Sequence, residues 1–408
     1  MPHTNKSLCR VRTVTLFLSL STDRQTWAAS LQSAKQAFDQ LVPAIQAKGY
    51  DVQSIRIVTN AFGEYLNLQS LATAKADLAY LKTLLSQLND SGLRIRFAIG
   101  EAKTAEELAI LPELIADYGD LANACINVAQ DENGILDNPR LLQAAEVVQK
   151  IAKITPRGEG NFNFTVNFNC QPFIPYFPAG YHSSQLPNSF VIGFETPDLL
   201  VEVVKNLPKT EHNAFLHSAY QAMSKALQYH VDEVLSAISA VNLSGDFKFA
   251  GIDSSAAPSK NCASMCELYE LLGVPYFGAA GTVEISSLLT RVFKSVKNAP
   301  LVGFSGLMLA VVEDTGLAAG ANTHYDIRTL LTNSAVCGIG LDTVPIPENT
   351  SAEQIAALMR DTGTMAFRLN KPLTVRLFPI PNRQAGEMTY FESADLCNGQ
   401  VLAVNEER

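Results

Sequence analysis

Val14-Thr-Leu-Phe-Leu-Ser-Leu20, Trp27 to Ala47 and Val52-Gln-Ser-Ile-Arg-Ile-Val58, taken together, decide the fold class. The outer two are short, apolar and rich in β-branched residues, which marks strands. The middle one has helical periodicity and strong helix formers. Strand, helix, strand predicts a right-handed crossover between parallel strands. The alternation then continues. Helices are expected over Leu68–Leu88 and Thr104–Tyr118, with strands at Leu93–Ile99 and Ala124–Val128. Asp137-Asn-Pro-Arg opens another helix, read with Asn138 as its cap and Pro139 at its first position.

Thr155–Gly160 is a loop and the best internal boundary in a single domain over residues 12–404. Residues 1–11 and 405–408 are read as flexible termini. Strands follow at Phe162–Phe168, Phe190–Phe194, Phe247–Ile252 and Leu301–Leu309, in the Cys337 segment and at Leu373–Phe378. Helices are read over Pro197–Val241 (interrupted near Pro208), Tyr325–Leu331 and Ala352–Leu369. Ten strands alternating with helices predict an α/β protein with mainly parallel pairing. An open sheet and a closed barrel both satisfy that pattern.

The chain of 408 residues is 47% hydrophobic, enough for a sizeable core. Its net charge of -9 argues against nucleic acid, whose binding draws on a basic footprint. The seven cysteines are scattered and odd in number, which predicts thiols rather than a disulfide framework. No apolar run reaches the roughly 18 residues of a bilayer span. Val14–Leu20 reads as a strand rather than a signal-peptide core, because it is short and Asp23 and Arg24 follow it. The expectation is a cytoplasmic protein with no membrane partner.

Several segments carry candidate chemistry. Asp253, Ser254 and Ser255 follow a strand, where a carboxylate can serve as base or substrate ligand, or simply cap the next turn. Gly303-Phe-Ser305-Gly306 falls short of a nucleophile elbow. Its glycines permit close approach of a ligand or of another strand, and Glu313 and Asp314 nearby are weak cation candidates. Cys337-Gly-Ile-Gly-Leu-Asp342 presents a thiol beside a Gly-rich turn; the competing reading is a buried core cysteine. Pro172–Ser184 is a long loop carrying His182, read either as an acid–base group or as a solvated residue of an ordered lid. Arg376 lies inside an otherwise apolar strand, so burial demands a partner, either a substrate anion or Asp342. No dinucleotide fingerprint, P-loop or metal-binding motif is present, no metal site is assigned, and the cofactor is left unknown.

These same segments resemble a known family. Pro175-Tyr-Phe-Pro-Ala-Gly-Tyr-His182, Gly251-Ile-Asp-Ser-Ser255, Gly303-Phe-Ser-Gly-Leu-Met308, Cys337-Gly-Ile-Gly-Leu-Asp-Thr-Val-Pro-Ile-Pro347 and Lys371-Pro-Leu-Thr-Val-Arg-Leu377 look like the uncharacterised family UPF 0210 (domain of unknown function 711). The resemblance covers roughly Arg12 to Val404. It implies a ten-stranded α/β barrel of the pyruvate formate-lyase type with an inserted finger loop, placed at Cys337–Pro347. The Arg-Val-x-Gly segment of glycyl radical relatives is absent. Glu348-Asn349 and Ala310 also depart from the family pattern.

The expectation is therefore a non-radical, lyase-type enzyme acting on a small polar or anionic metabolite inside the barrel. Cys337, Asp342, Asp253 and His182 are its candidate catalytic residues. Arg376, Ser254, Ser255 and Ser305 are the candidate substrate-binding residues. A homo-dimer is expected. The alternative is a metabolite-binding regulatory protein without catalysis.

Overall fold

Strand β1 (Arg10–Leu18) shows how the sheet is built. Its alternation sends Val14, Leu16 and Leu18 into a large apolar core and turns Phe17 to the opposite face, against Val58, Ala98 and Val191. Both faces of the sheet are therefore covered, as its near-continuous apolar runs require. The computed structural model describes residues 2–89, 92–243 and 247–404.

Beyond β1 the strands are β2 (Ile55–Thr59), β3 (Ile95–Glu101), β4 (Asn123–Val128), β5 (Phe164–Phe168), β6 (Ser189–Glu195), β7 (Lys248–Asp253), β8 (Gly340–Pro347) and β9 (Leu373–Ile380). They form one sheet in the order β7-β6-β1-β2-β3-β4-β5-β9-β8. Strands β1 to β5 pair in parallel. Strand β6 is antiparallel to β1, and β9 is antiparallel to β5. Each starts a short parallel run of its own, β6 with β7 and β9 with β8. The sheet is thus mostly parallel, with one central block and two flanks running the other way.

The helices are α1 (Trp27–Ala47), α2 (Leu71–Leu88), α3 (Ala105–Tyr118), α4 (Asn138–Ile154), α5 (Pro197–Lys205), α6 (His212–Ser239), α7 (Met265–Leu271), α8 (Thr282–Lys294), α9 (Thr315–Gly320), α10 (Ile327–Ser334) and α11 (Ala352–Arg368). Local chemistry fixes their starts. Ser70, Thr104 and Ser351 each close a reciprocal capping box. At α4 the cap is Asp137, not Asn138: its carboxylate accepts the Arg140 amide at 3.1 Å. The pair α7 and α8 had no counterpart in the sequence reading. No helix of the described residues is long and apolar enough to cross a membrane.

Three expectations need correction or restatement. First, the sheet of the described residues has nine strands, not ten. The stretch read as a strand at Leu301–Leu309 makes only single bridges, Leu301 to Ile252 of β7 and Ala310 to Asp342 of β8. Its glycines and Ser305 (φ 41°) break the extended backbone between them. Second, Cys337–Pro347 is not a finger loop, because Gly340–Pro347 is the wholly buried strand β8 paired with β9. Leu341, Val344 and Ile346 all enter the core, a spacing that strict alternation forbids. An irregularity between Leu341 and Val344, with Thr343 at φ 48°, restores the match. Third, all of residues 1–11 except Met1 are described. Pro2–Thr4 and Lys6–Leu8 form 3-10 turns, and Cys9 and Val11 are buried. Residues 405–408 lie outside the described residues.

The face of the sheet that carries Phe17 is overlaid by the loop between β5 and β6. Thr15 Oγ1 donates to the Pro175 carbonyl at 3.1 Å, Asn167 Nδ2 to the Ala179 carbonyl at 3.0 Å, and the His182 amide to the Thr59 carbonyl at 3.1 Å. Phe173 and Phe177 pack on the Phe17 cluster. The Phe177–Pro178 peptide is cis.

Candidate functional site

A cavity of about 430 Å³ opens between this loop and the sheet. Its walls come from the first residues of β2 to β5, including Arg56, Arg96, Asn123 and Thr165, and from Asp342 and Arg376 on the oppositely directed strands. Sites in parallel sheets gather beyond carboxyl ends, and the sequence segments were chosen on that rule. Here the flanking strands reverse direction, so the amino ends of the central block adjoin the carboxyl side of β7 and β9. Ala257 and Pro258, just past β7, line the same space.

Arg376 and Asp342 meet as the sequence reading allowed. Arg376 Nε donates to Asp342 Oδ1 at 2.7 Å, and one terminal nitrogen donates to Oδ2 at 3.0 Å. That same nitrogen also donates to Glu313. The guanidinium lies 4.9 Å from the Phe162 ring centre. Burial alone would lower the Arg376 pKa, but the Asp342 and Glu313 carboxylates outweigh it, and the net shift is upward. Burial raises the Glu313 carboxyl above its ordinary value, with Arg376 opposing the rise. Glu313, a weak cation candidate on sequence grounds, is thus a carboxylate poised at the cavity wall beside a fixed positive charge.

A second guanidinium differs in kind. Arg56 is 7% exposed, donates to Ser54 Oγ at 3.2 Å and lies 5.0 Å from the Phe177 ring centre. Among the described residues it forms no ion pair. Arg96 is its neighbour in register on β3, and Arg12 lines the same cavity from β1. Burial pushes Arg56 down to about 9, and the Arg12 and Arg96 charges add to the fall. Arg12 stands where the β1–β6 register shifts, a device that re-aims a side chain. It reaches Gln53 at 2.9 Å and the Glu195 carboxylate at 3.6 Å. Arg96 faces Asp395 at 3.8 Å across the cavity mouth.

Asp253, Ser254, Ser255 and Ser305 also come together, but behind the wall. Asp253 Oδ1 accepts the Ser255 amide and hydroxyl at 3.0 and 2.6 Å and the Ser305 amide at 3.1 Å; Oδ2 accepts the Phe304 amide at 2.8 Å. Ser254 donates its hydroxyl to the Phe293 carbonyl. Burial raises the Asp253 pKa against these bonds. The carboxylate clasps the end of β7 to the 303–306 turn and so fixes Phe304, which does line the cavity. A side chain at Gly303 would collide with it, since an added Cβ would lie 2.1 Å from Asp253 Oδ2.

Cys337 is fully buried, and the cavity is bordered by Ile339 instead. Its Sγ accepts the Gly340 amide at 3.4 Å, and Lys371 donates to its carbonyl. The adjacent Gly338 packs backbone to backbone on Gly306, which explains a glycine at each position. His182 is 2% exposed between the rings of Phe17 and Phe173, and neither ring nitrogen has a hydrogen-bond partner among the described residues. Burial lowers it to about 4, so it is neutral at physiological pH. It is not among the residues lining the cavity. Asp314 caps α9 through the Gly316 and Leu317 amides and also accepts from the Ser264 hydroxyl and the Met265 amide, so both its oxygens are engaged in the fold.

Sequence reasoning passed over Arg12, Arg56 and Arg96. For Arg56 and Arg96 the signal was present, a charged residue inside an apolar strand, and it was applied only to Arg376; Arg12 lies before the first strand as read from sequence, Val14–Leu20, and inside β1 of the structure.

Comparison with known proteins agrees with the motifs. The profile of a family described as "Uncharacterised ACR (DUF711)" matches residues 3–393. A UPF0210 protein of Pyrobaculum aerophilum is 31% identical over 277 residues, 64% of this chain and 58% of that protein. One from Desulforudis audaxviator is 30% identical over 296 residues, 70% of this chain and 64% of its own length. A third, from Limosilactobacillus reuteri, is 26% identical over 305 residues. The matched region spans about six-tenths of the first two relatives. With a profile match running through nearly the whole sequence, the chain belongs to the uncharacterised DUF711 family, the UPF0210 proteins.

Proposed function

We propose that this chain is an enzyme acting on a small anionic metabolite held in the cavity at Arg56, by lyase-type proton-transfer chemistry. The observation that carries the reading is Arg56 itself. A guanidinium buried without a carboxylate is costly unless an anion completes it. The Glu313–Asp342 pair stands in the same cavity, with Arg376 holding its geometry. Glu313 is the group that takes and returns the proton, because burial favours its neutral form while Arg376 keeps the charged form accessible. Asp342 and Arg376 position it. Cys337 enters as a packing residue behind the wall.

The barrel belongs to the same proposal. The 301–310 segment touches β7 at one end and β8 at the other, which are the two edges of the sheet. Counted as a strand, it closes a ten-stranded barrel of the pyruvate formate-lyase type. The loop over the inner face then takes the place of the finger.

The test is calorimetric titration with a panel of small carboxylates and phosphates, followed by mass spectrometry of the recovered ligand. The reading expects a compound that binds the wild type, fails with Arg56→Met and returns altered from the wild type but unaltered from Glu313→Gln. Arg56-dependent binding with unaltered ligand in every variant favours the regulatory reading instead. No Arg56-dependent ligand defeats both.

A further inference from the structure

We infer that the cavity recognises a dianionic tetrahedral head, a phosphate group, bound between Arg56, Arg96 and Arg12; this rests on the reading of the cavity as an anion site and names the class of anion. The argument starts from register. Arg56 and Arg96 are directly paired residues on adjacent parallel strands, so their side chains leave the sheet on one face. Like charges facing each other across a ladder destabilise it. The usual relief is a carboxylate, and Arg376 a few strands away has two. Among the described residues the Arg56–Arg96 pair has only one carboxylate, Asp395 at 3.8 Å, on the half-exposed Arg96 side. Arg12 adds a third guanidinium to the same lining.

A monoanion balances Arg56 and leaves Arg96 and Arg12 with only their long pairs to Asp395 at 3.8 Å and Glu195 at 3.6 Å. A dianion with three or four oxygens spread tetrahedrally can accept from several guanidinium forks at once, the geometry in which Arg–phosphate contacts are strongest. The cavity volume of about 430 Å³ leaves room for a small organic group beyond the head. That group would extend toward Glu313 and Asp342, which repel a second anion and favour a neutral or cationic tail.

The experiment is calorimetric titration of the full chain with inorganic phosphate, methyl phosphate and acetate at moderate salt. Phosphate or methyl phosphate is expected to bind at least roughly tenfold tighter than acetate. Arg56→Met and Arg96→Gln are each expected to weaken phosphate by roughly tenfold to a hundredfold. Arg96 is half exposed, so its variant carries the test if Arg56→Met fails to fold. Methyl phosphate binding more tightly than inorganic phosphate assigns the head to an ester; the reverse order assigns it to free phosphate. Acetate binding as tightly as phosphate, both dependent on Arg56, overturns the dianion and spares the anion site. Phosphate binding unchanged in Arg96→Gln also overturns it. Absence of any Arg56-dependent anion overturns both readings.

Discussion

Arg376→Met isolates the energetics of the cavity wall. The substitution keeps most of the aliphatic stem but removes the guanidinium that bridges Asp342 and Glu313. The three side chains are 6%, 4% and 15% exposed, so little water is available to replace the lost partner. Removing one member of a buried pair costs roughly 3–5 kcal/mol, because a desolvated charge is left uncompensated. Here two carboxylates are left facing each other, which places the expected loss toward the upper end. Adding Asp342→Asn removes one of them and should restore about half of the loss. The assay is urea denaturation followed by far-UV circular dichroism and by Trp27. It is the chain's one tryptophan, fully buried with its indole nitrogen donating to the Ser21 carbonyl. A loss below about 1 kcal/mol, within reach of an ordinary surface change, would refute the reasoning. So would a double variant no more stable than the single.

Other outcomes follow from the same geometry. Burial raises the folded-state pKa of Glu313 above its ordinary 4.5, so its contribution to stability is full below that value and declines as pH rises through the folded one. Glu313→Gln should flatten that decline in stability-versus-pH curves, and an unchanged slope would contradict it. His182 runs the opposite way. Lowered from 6.5 to about 4, it contributes stability above 6.5 that is lost as pH falls toward 4. His182→Leu should reduce that acid loss by up to about 3 kcal/mol in acid denaturation; His230, also lowered to about 4, and the carboxylates of Glu64 and Glu159, held below their ordinary value, contribute further sensitivity. Gly306→Ala would set a methyl 2.8 Å from the Gly338 Cα, so a loss of roughly 1–3 kcal/mol is expected in the same denaturation assay, and none would place the two turns further apart. Asp395→Asn breaks an exposed pair and should change stability by less than about 0.5 kcal/mol. In calorimetric titration the same variant should bind phosphate more tightly, since Asp395 competes for Arg96.

The fold was legible wherever periodicity was regular. Helix α1 matches its expected span because one apolar stripe runs uninterrupted from Trp27 to Ala47. The stretch at Leu301–Leu309 looked like a strand because composition does not register the backbone turn at Ser305. The Cys337 segment misled in the other direction. Its glycines suggested a presented loop, whereas Gly338 is there to touch Gly306, and Gly340 at φ 95° to pass the Thr374 carbonyl. At the site, Arg376 and Asp342 were readable from a charge inside an apolar run. Arg56 and Arg96 carry the same mark, but their juxtaposition depends on the β2–β3 register, which no single strand encodes. Asp253 was chosen for its position after a strand. Its role as a clasp emerged only with the amides of residues far along the chain.

The most direct test of the anion site is a crystal soaked in selenate, whose selenium scatters anomalously and whose shape is that of phosphate. The account predicts an anomalous peak inside the cavity, within hydrogen-bonding reach of both Arg56 and Arg96. An empty cavity, with selenate found only on the outer surface, would contradict it.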